Sequence, residues 1–256
     1  LGGFVAQFGT EVPFLVSAGL AMANFLYGLF VLPESLPPEK RRAFEWCRAN
    51  PVGALMRLKS AHPVVLMLAA TVFVWTLSYQ SLYSIWSYHG QLRYGWTPEQ
   101  VGWSLAAVGV TGAIVQGFLG RKLIPRFGQR RIIVFGLISA VAGYSTYAMA
   151  DAGWMVYLGI AVSACQGLVF PCLQGLMSAE VAPNEQGELQ GAVASIQSLS
   201  AIVGPPLMTT VFARFSVADA PIYAPGAPFV VSLVFVGITA LIFFRAHAGR
   251  RVVAAE

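Results

Sequence analysis

The sequence predicts an all-α, polytopic membrane protein, and three observations carry that reading. Apolar stretches run over 12–32, 63–84, 101–120, 132–150, 153–177, 190–212 and 226–244, each near the ~20 residues needed to cross a hydrocarbon core. Of the 256 residues, 57% are hydrophobic and 11% charged, with mean hydropathy +0.67, whereas soluble domains carry about 25% charged residues. The basic residues are also segregated. When loops alternate between two sides, one side collects Lys40, Arg41, Arg42, Arg48, Arg57, Lys59, Arg121, Lys122, Arg126, Arg130, Arg131, Arg245, Arg250 and Arg251, leaving only Arg93 and Arg214 opposite. By the positive-inside rule the basic loops and the C-terminus are cytoplasmic.

Taken in order, the first stretch sets the topology. Alternation back from a cytoplasmic tail puts residues 1–11 outside, yet no basic signal-peptide head precedes them, the first basic residue is Lys40, and no initiator Met is present. Upstream helices are therefore expected, and residues 1–32 read as the remnant of an N-terminal bundle. Residues 33–62 form a cytoplasmic linker in which Pro33, Pro37 and Pro38 stop helical continuation. Glu39-Lys40-Arg41-Arg42 opens a charged stretch suited to a short surface helix. Residues 63–256 hold six closely connected spans and a short cytoplasmic tail.

The second span carries Thr76, Gln80, Tyr83, Ser84 and Ser87 at i, i+4, i+7, i+8 and i+11, one polar stripe that should face protein or water. The third has Thr111 and Gln116 among Gly102, Gly109, Gly112, Gly117 and Gly120, which permit close backbone approach. The fifth has Ser163, Gln166 and Gln174, and the sixth Gln190, Ser195, Gln197, Ser198 and Ser200. The fourth and seventh contain no Gln, Asn or charged residue, so they are expected at the lipid-facing positions. Gly204-Pro205-Pro206 should kink or break the sixth, either as helix-end geometry or as a hinge.

Several function classes drop out. The net charge of +5 is accounted for by the cytoplasmic loops, and no basic stripe is interleaved with exposed aromatics, so nucleic acid is not an expected partner. Cys47 falls in a loop while Cys165 and Cys172 share one span, which gives no metal or redox framework, and no cofactor is expected. His62, His89 and His247 all read as loop or end residues, and there is no Gly-x-Ser-x-Gly, so an intramembrane enzyme is not expected. Glu11, Glu34, Glu180 and Glu188 read as solvated helix caps, leaving no central carboxylate.

Particular phrases then carry a family resemblance. Leu32-Pro33-Glu34-Ser35-Leu36 closes the first span, Gln186-Gly187-Glu188-Leu189-Gln190-Gly191 opens the sixth, and Ile202-Val203-Gly204-Pro205 continues it. With Leu1-Gly2-Gly3 as the tail of an antiporter motif, the chain resembles the tetracycline efflux branch of the major facilitator superfamily over essentially its whole length. The resemblance implies two six-helix bundles, with this chain starting late in helix five. It implies a substrate cavity at Gln80, Tyr83, Trp86, Gln116, Gln166, Gln174 and Gln197, with Pro171 and Gln174 matching a Pro-x-x-Gln. The same glutamines would also serve as interhelical glue, and Trp86 and Trp96 as members of an interfacial aromatic belt. Arg126, Gly128, Arg130 and Arg131 fit a degenerate cytoplasmic gating motif whose Asp is replaced by Pro125, and Gly204 and Pro205 are candidate gating positions. The branch's intramembrane Asp and His fall at Ala140 and Gly112. The implied protein is a proton-coupled exporter of drugs or small amphipathic molecules in a bacterial inner membrane. Its partners would be the bilayer, substrate, protons and an upstream bundle holding the proton-binding carboxylate. A transporter of another small metabolite and an incomplete, non-transporting fragment are the alternatives.

Overall fold

A computed structural model describes residues 9, 11–33, 63–217 and 221–253. Most of the 33–62 linker and the Leu1-Gly2-Gly3 phrase lie outside them. The described residues are helical, and seven helices are long and apolar enough to cross a membrane.

Helix α1 is Val12–Phe30, apolar around its circumference and without a buried residue. α2 is Pro63–Tyr94. The third span is α3, Pro98–Ile114, then a π-helical turn, Val115–Leu119, then α4, Gly120–Phe127. α5 is Gln129–Met149; the fifth span is α6, Gly153–Ser163, a 3-10 turn, Ala164–Leu168, and α7, Val169–Ser178. α8 is Gln186–Ser216 and α9 is Ala227–Val253.

Local chemistry explains the interruptions. Thr97 caps α3 with a reciprocal pair, its side chain accepting from Gln100 N–H at 3.3 Å while Gln100 Oε1 accepts from Thr97 N–H at 3.0 Å. Gly95, at φ +65°, ends α2, and Gly128, at φ +79°, reverses the chain between α4 and α5. The expected loop over 121–131 is therefore helix on both sides of a single glycine. Pro171 cannot donate to the Gly167 carbonyl and its ring crowds that group, and the turn just before it is wound as 3-10. Pro205 and Pro206 do not break α8, which continues to Ser216.

Small residues let the helices meet. A Cβ at Gly143 would lie 3.1 Å from Ser163 Cα and one at Gly136 would lie 3.1 Å from Cys165 O, while Gly159 makes room for the Tyr147 ring. Ala140, on the same face of α5, is fully buried. Several helix pairs add a polar contact: Thr76 with Ser200 at 2.7 Å for α2 and α8, and Ser232 Oγ to Ser81 Oγ at 2.7 Å for α9 and α2. Tyr147 with Ser163 at 2.9 Å joins α5 to α6, and Trp86 Nε1 donates to Ser104 Oγ at 2.9 Å between α2 and α3. Each contributes about 0.6 kcal/mol in a membrane, so they fix register more than they hold the bundle together.

The fourth and seventh spans each carry an exposed apolar face, as expected of lipid-facing helices. α5 exposes Phe135, Ile138, Val141 and Met149, and α9 exposes Val230, Val234 and Leu241, each opposite a buried face. The third and sixth spans expose comparable apolar stripes, Trp103, Val110, Ile114 and Phe118 on one and Leu199, Ile202 and Val203 on the other. The aromatic-belt reading of Trp86 and Trp96 is overturned, because both are buried, whereas Trp103 and Trp154 are the exposed ones. Trp96 is wedged over Gly90 and Gly153.

Replacing Gly143 by Val overpacks the α5–α6 seam and should destabilise the protein by about 1–3 kcal/mol. Gly109→Ala, whose Cβ meets nothing within 4 Å, is the control. Thermal unfolding in detergent checks this, and equal melting of the two variants would defeat the small-residue account.

Candidate substrate cavity

A cavity of about 460 Å³ opens between α2, the third span, α5 and the fifth span, within the range of small-molecule sites. α2 supplies Tyr79, Leu82, Tyr83 and Trp86, the third span Val108, Thr111, Gly112 and Gln116, and α5 Tyr147. The fifth span supplies Ile160, Ser163, Gln166 and Gly167. The two irregular turns face each other here. Gly120 N–H reaches back to Val115 O across the π turn, and a Cβ on Gly120 would lie 3.0 Å from Leu168 in the 3-10 turn. Gln116 and Gln166 are carried on those turns. Irregular helix of this kind recurs at functional sites because it re-aims side chains and frees backbone groups.

The lining has a consistent chemistry. Tyr79 and Tyr83 stack with centroids 5.9 Å apart, and Trp86 meets Tyr147 edge to face at 5.2 Å. Tyr83 is 78% exposed, while Trp86 and Gln166 are only 6% exposed. Gln166 Oε1 is buried without a hydrogen-bond partner among the described residues. A buried carbonyl left so costs about 1–3 kcal/mol, which a ligand donor would relieve. Among the described residues no acidic or basic side chain lines the cavity.

Of the residues expected at the cavity, Tyr83, Trp86, Gln116 and Gln166 come together there. Gln80 does not. Its Cβ and Cγ fill the notch left by Gly204 on α8, where any added Cβ would overlap them. The second-span stripe accordingly splits, with Thr76 and Gln80 on the α8 seam and Tyr83 turning to the cavity. Gln174 is also elsewhere: its Nε2 donates to Gln190 Oε1 at 2.6 Å. One turn on, Gln186 Nε2 donates to Ser178 O at 2.8 Å, and its Oε1 accepts from Ser178 Oγ at 2.7 Å. The Gln186-to-Gly191 phrase is thus a two-rung clasp between α7 and α8. Gln197 is exposed on α8 away from the cavity.

At the expected gate, Arg126 is exposed and lies 5.5 Å over the ring of its neighbour Phe127. Arg130 is half-buried and engaged, Arg131 exposed. Gln129, beside Gly128, packs onto Gly175 of α7. Gly204 serves as the Gln80 notch, and Pro205 is half-buried within a continuous helix. Gly112 lines the cavity and leaves open space, whereas Ala140 is sealed in the α5 seam.

Two site features escaped the sequence reading. Tyr79 and Tyr147 carry no sequence signal that separates them from other aromatics of apolar spans, beyond the i, i+4 spacing of Tyr79 and Tyr83. His89 was placed at a loop, but α2 runs ten residues past the expected end at 84, and the histidine is 5% exposed. Ser87-Tyr88-His89 lowers local hydropathy without ending the helix, and of the three only His89 is buried, Tyr88 facing out. Glu180 and Glu188 are half-buried and engaged, not solvated caps.

Comparison with known proteins agrees with this architecture. The sequence model of the family described as Major Facilitator Superfamily matches residues 1–205 and 91–255. The chain is 33% identical over 216 residues to the class C tetracycline resistance protein of Escherichia coli, covering 83% of this chain and 53% of that protein. It is 34% identical over 212 residues to the class G protein of Vibrio anguillarum, with the same coverages of 83% and 53%. Among solved structures, the human organic anion transporter MFSD10 (TETRAN) superposes with a TM-score of 0.74 at 21% identity, over 93% of this chain and 57% of that one. The chain therefore spans about half the length of the curated relatives it matches.

Gly204→Val should drive Gln80 from its notch and lower the melting temperature, and adding Gln80→Ala should restore much of the loss. A coupling of about 1–2 kcal/mol is expected for residues in such contact. A double-mutant cycle in detergent measures it, and additive effects would separate the two residues.

Proposed function

This chain belongs to the Major Facilitator Superfamily, and on that premise we propose that it forms the C-terminal bundle of a proton-coupled exporter of drugs or small amphipathic molecules. Residues 63–256 are the bundle, 33–62 the cytoplasmic linker to a preceding bundle, and 12–32 the last helix of that bundle. The membrane is a bacterial inner membrane with the C-terminus in the cytoplasm, a direction supported by the basic-residue bias. Transport proceeds by alternating access, the cavity opening to each face in turn as the two bundles rock about it.

The observation that carries this reading is the composition of the cavity wall. Tyrosine and tryptophan rings offer flat apolar contact, while Gln116, Gln166 and Ser163 offer a few directed hydrogen bonds. A neutral lining of this kind accepts planar or amphipathic molecules and holds them weakly enough to release. The absence of acidic and basic groups among the lining residues means that any substrate charge is read by the facing bundle. Tetracycline fits this chemistry, as the names of the relatives suggest. A specific observation favours a wider range: Gly112 leaves open space in the wall where the tetracycline branch carries a histidine.

Everted membrane vesicles containing the complete protein should accumulate tetracycline or ethidium when a proton gradient is imposed and lose the accumulated probe on adding a protonophore. Accumulation insensitive to the gradient would remove proton coupling, and absence of exchange for every probe would remove the export reading. Gln166→Leu, which deletes the buried carbonyl without changing the helix, should shift probe affinity by about tenfold, matching a hydrogen bond contribution near 1.4 kcal/mol. Equilibrium binding by tryptophan quenching measures that change. Arg126→Ala should slow transport at unchanged membrane insertion, because it removes a cation from the reversal at Gly128; unaltered kinetics would make the arginine purely topogenic.

A further inference from the structure

Most donor hydrogens of the cavity wall are spent inside the protein. Thr111 Oγ1 donates back to Ala107 O at 2.8 Å and to Val108 O at 3.0 Å. Trp86 Nε1 donates to Ser104 Oγ, which itself donates to Val101 O at 2.7 Å. Ser163 Oγ donates to Ile160 O at 3.2 Å, so in its 2.9 Å contact with Tyr147 the phenol is the donor. A hydroxyl has one hydrogen and two lone pairs. Thr111, Ser163 and Tyr147 therefore keep acceptor capacity and have no hydrogen left for a ligand.

Gln166 adds the decisive acceptor. Its side chain is 6% exposed, and among the described residues Oε1 is the lining atom that is buried without a hydrogen-bond partner. A carbonyl oxygen accepts and never donates. Open donors remain on the amide nitrogens of Gln116 and Gln166 and on the phenols of Tyr79 and Tyr83. Gln116 and Tyr83 are exposed, and no donor of the four is both buried and unpaired. The wall is thus biased: its fixed, enclosed hydrogen-bonding capacity takes donors from a ligand.

The rest of the lining sets the shape of that ligand. Gly109, Gly112 and Gly117 of the third span present bare backbone, where an added Cβ would meet nothing within 4 Å. Tyr79 and Trp86 of α2 and Tyr147 of α5 supply ring surface to the same space, and the fifth span borders it with Ser163 and Gln166. Rings and open backbone suit a flat molecule.

We propose that Gln166 is the specificity-determining residue of this cavity, and that it selects flat aromatic molecules carrying an N–H or O–H donor on the rim. A molecule with the same rings and no donor leaves Oε1 unpaired and loses the corresponding affinity. The proposal rests on the reading of this cavity as the substrate site.

Three acridine dyes of equal charge separate donor from size. Proflavine carries two primary amines, acridine yellow keeps both and adds two ring methyls, and acridine orange has both amines fully methylated. Binding to the complete protein is measured by equilibrium dialysis in detergent at one pH, with protein-free micelles subtracted. Proflavine and acridine yellow should each bind about tenfold more tightly than acridine orange, the size expected of one hydrogen bond. In Gln166→Leu that preference should fall to near equality. A preference that survives in the variant overturns the proposal, as does wild-type binding of acridine orange as tight as that of proflavine. Acridine yellow binding as weakly as acridine orange would make size the criterion and overturn it too. Should Gln166→Leu fail to fold, Gln166→Met, unbranched and of similar length, supplies the ratio, and the wild-type comparison of acridine yellow with acridine orange judges the proposal without a variant. Tetracycline binding without binding of any dye overturns the proposal alone; binding of neither tetracycline nor dye overturns the cavity reading with it.

Discussion

Helices in hydrocarbon gain little by hiding apolar surface from lipid, so this bundle depends on how closely its backbones approach. The α5 seam shows the constraint at its tightest. Gly136, Gly143 and Gly159 each leave a space that a neighbouring helix or ring already occupies, and Ala140 between them is fully buried. Dispersion contacts accumulate only at such short separations. The seam hydroxyls, from Ser139 to Ser163, then choose one register among the sliding alternatives.

The same constraint shapes the cavity. Where helices cannot all touch, a space remains, and the residues around it must satisfy their polar groups without water from the bilayer. The π turn at Val115–Leu119 and the 3-10 turn at Ala164–Leu168 bring backbone irregularity to the cavity and away from lipid. Pro171 accounts for one of them by withdrawing a donor from Gly167. The result is a wall in which Gln166 Oε1 is buried without a hydrogen-bond partner among the described residues.

The helix count was legible because hydropathy over ~20 residues reports burial in lipid directly. Helix ends were less so, since the last turns of α2 and α8 carry Ser, Tyr, His and Arg that lower hydropathy without ending the helix. Four of the cavity's lining residues were legible as well. Tyr83, Trp86, Gln116 and Gln166 could be assigned because intramembrane polar residues are rare. Gln80 and Gln174 satisfy the same rule for a different reason, one filling a glycine notch and the other bonding Gln190. A stripe at i, i+4 and i+7 spans more than 100° of helix surface, so a sequence alone does not say where one neighbour ends and the next begins.

The two ends of the bundle are fastened by different chemistry, which bears on the alternating access proposed for it. At the basic end, α7 and α8 are joined by neutral amide and hydroxyl bonds from Gln186 and Gln190, and Gly128 is the single residue between α4 and α5. At the other end, Arg93 and Asp151 form an ion pair, Tyr94 donates to Ala150 O at 3.1 Å, and the Trp96 ring closes over Gly90 and Gly153. Neutral hydrogen bonds exchange readily with water at small net cost. The ion pair itself is largely solvated, Asp151 being 77% exposed, and adds little; what fixes that end is the buried Trp96 ring, whose displacement would uncover apolar surface. The basic end can therefore rearrange with solvent alone. The opposite end opens only as those rings are displaced, and its aromatic cluster is continuous with the cavity through Trp86 and Tyr147. The packing of that end and the shape of the cavity wall are thus parts of one ring layer.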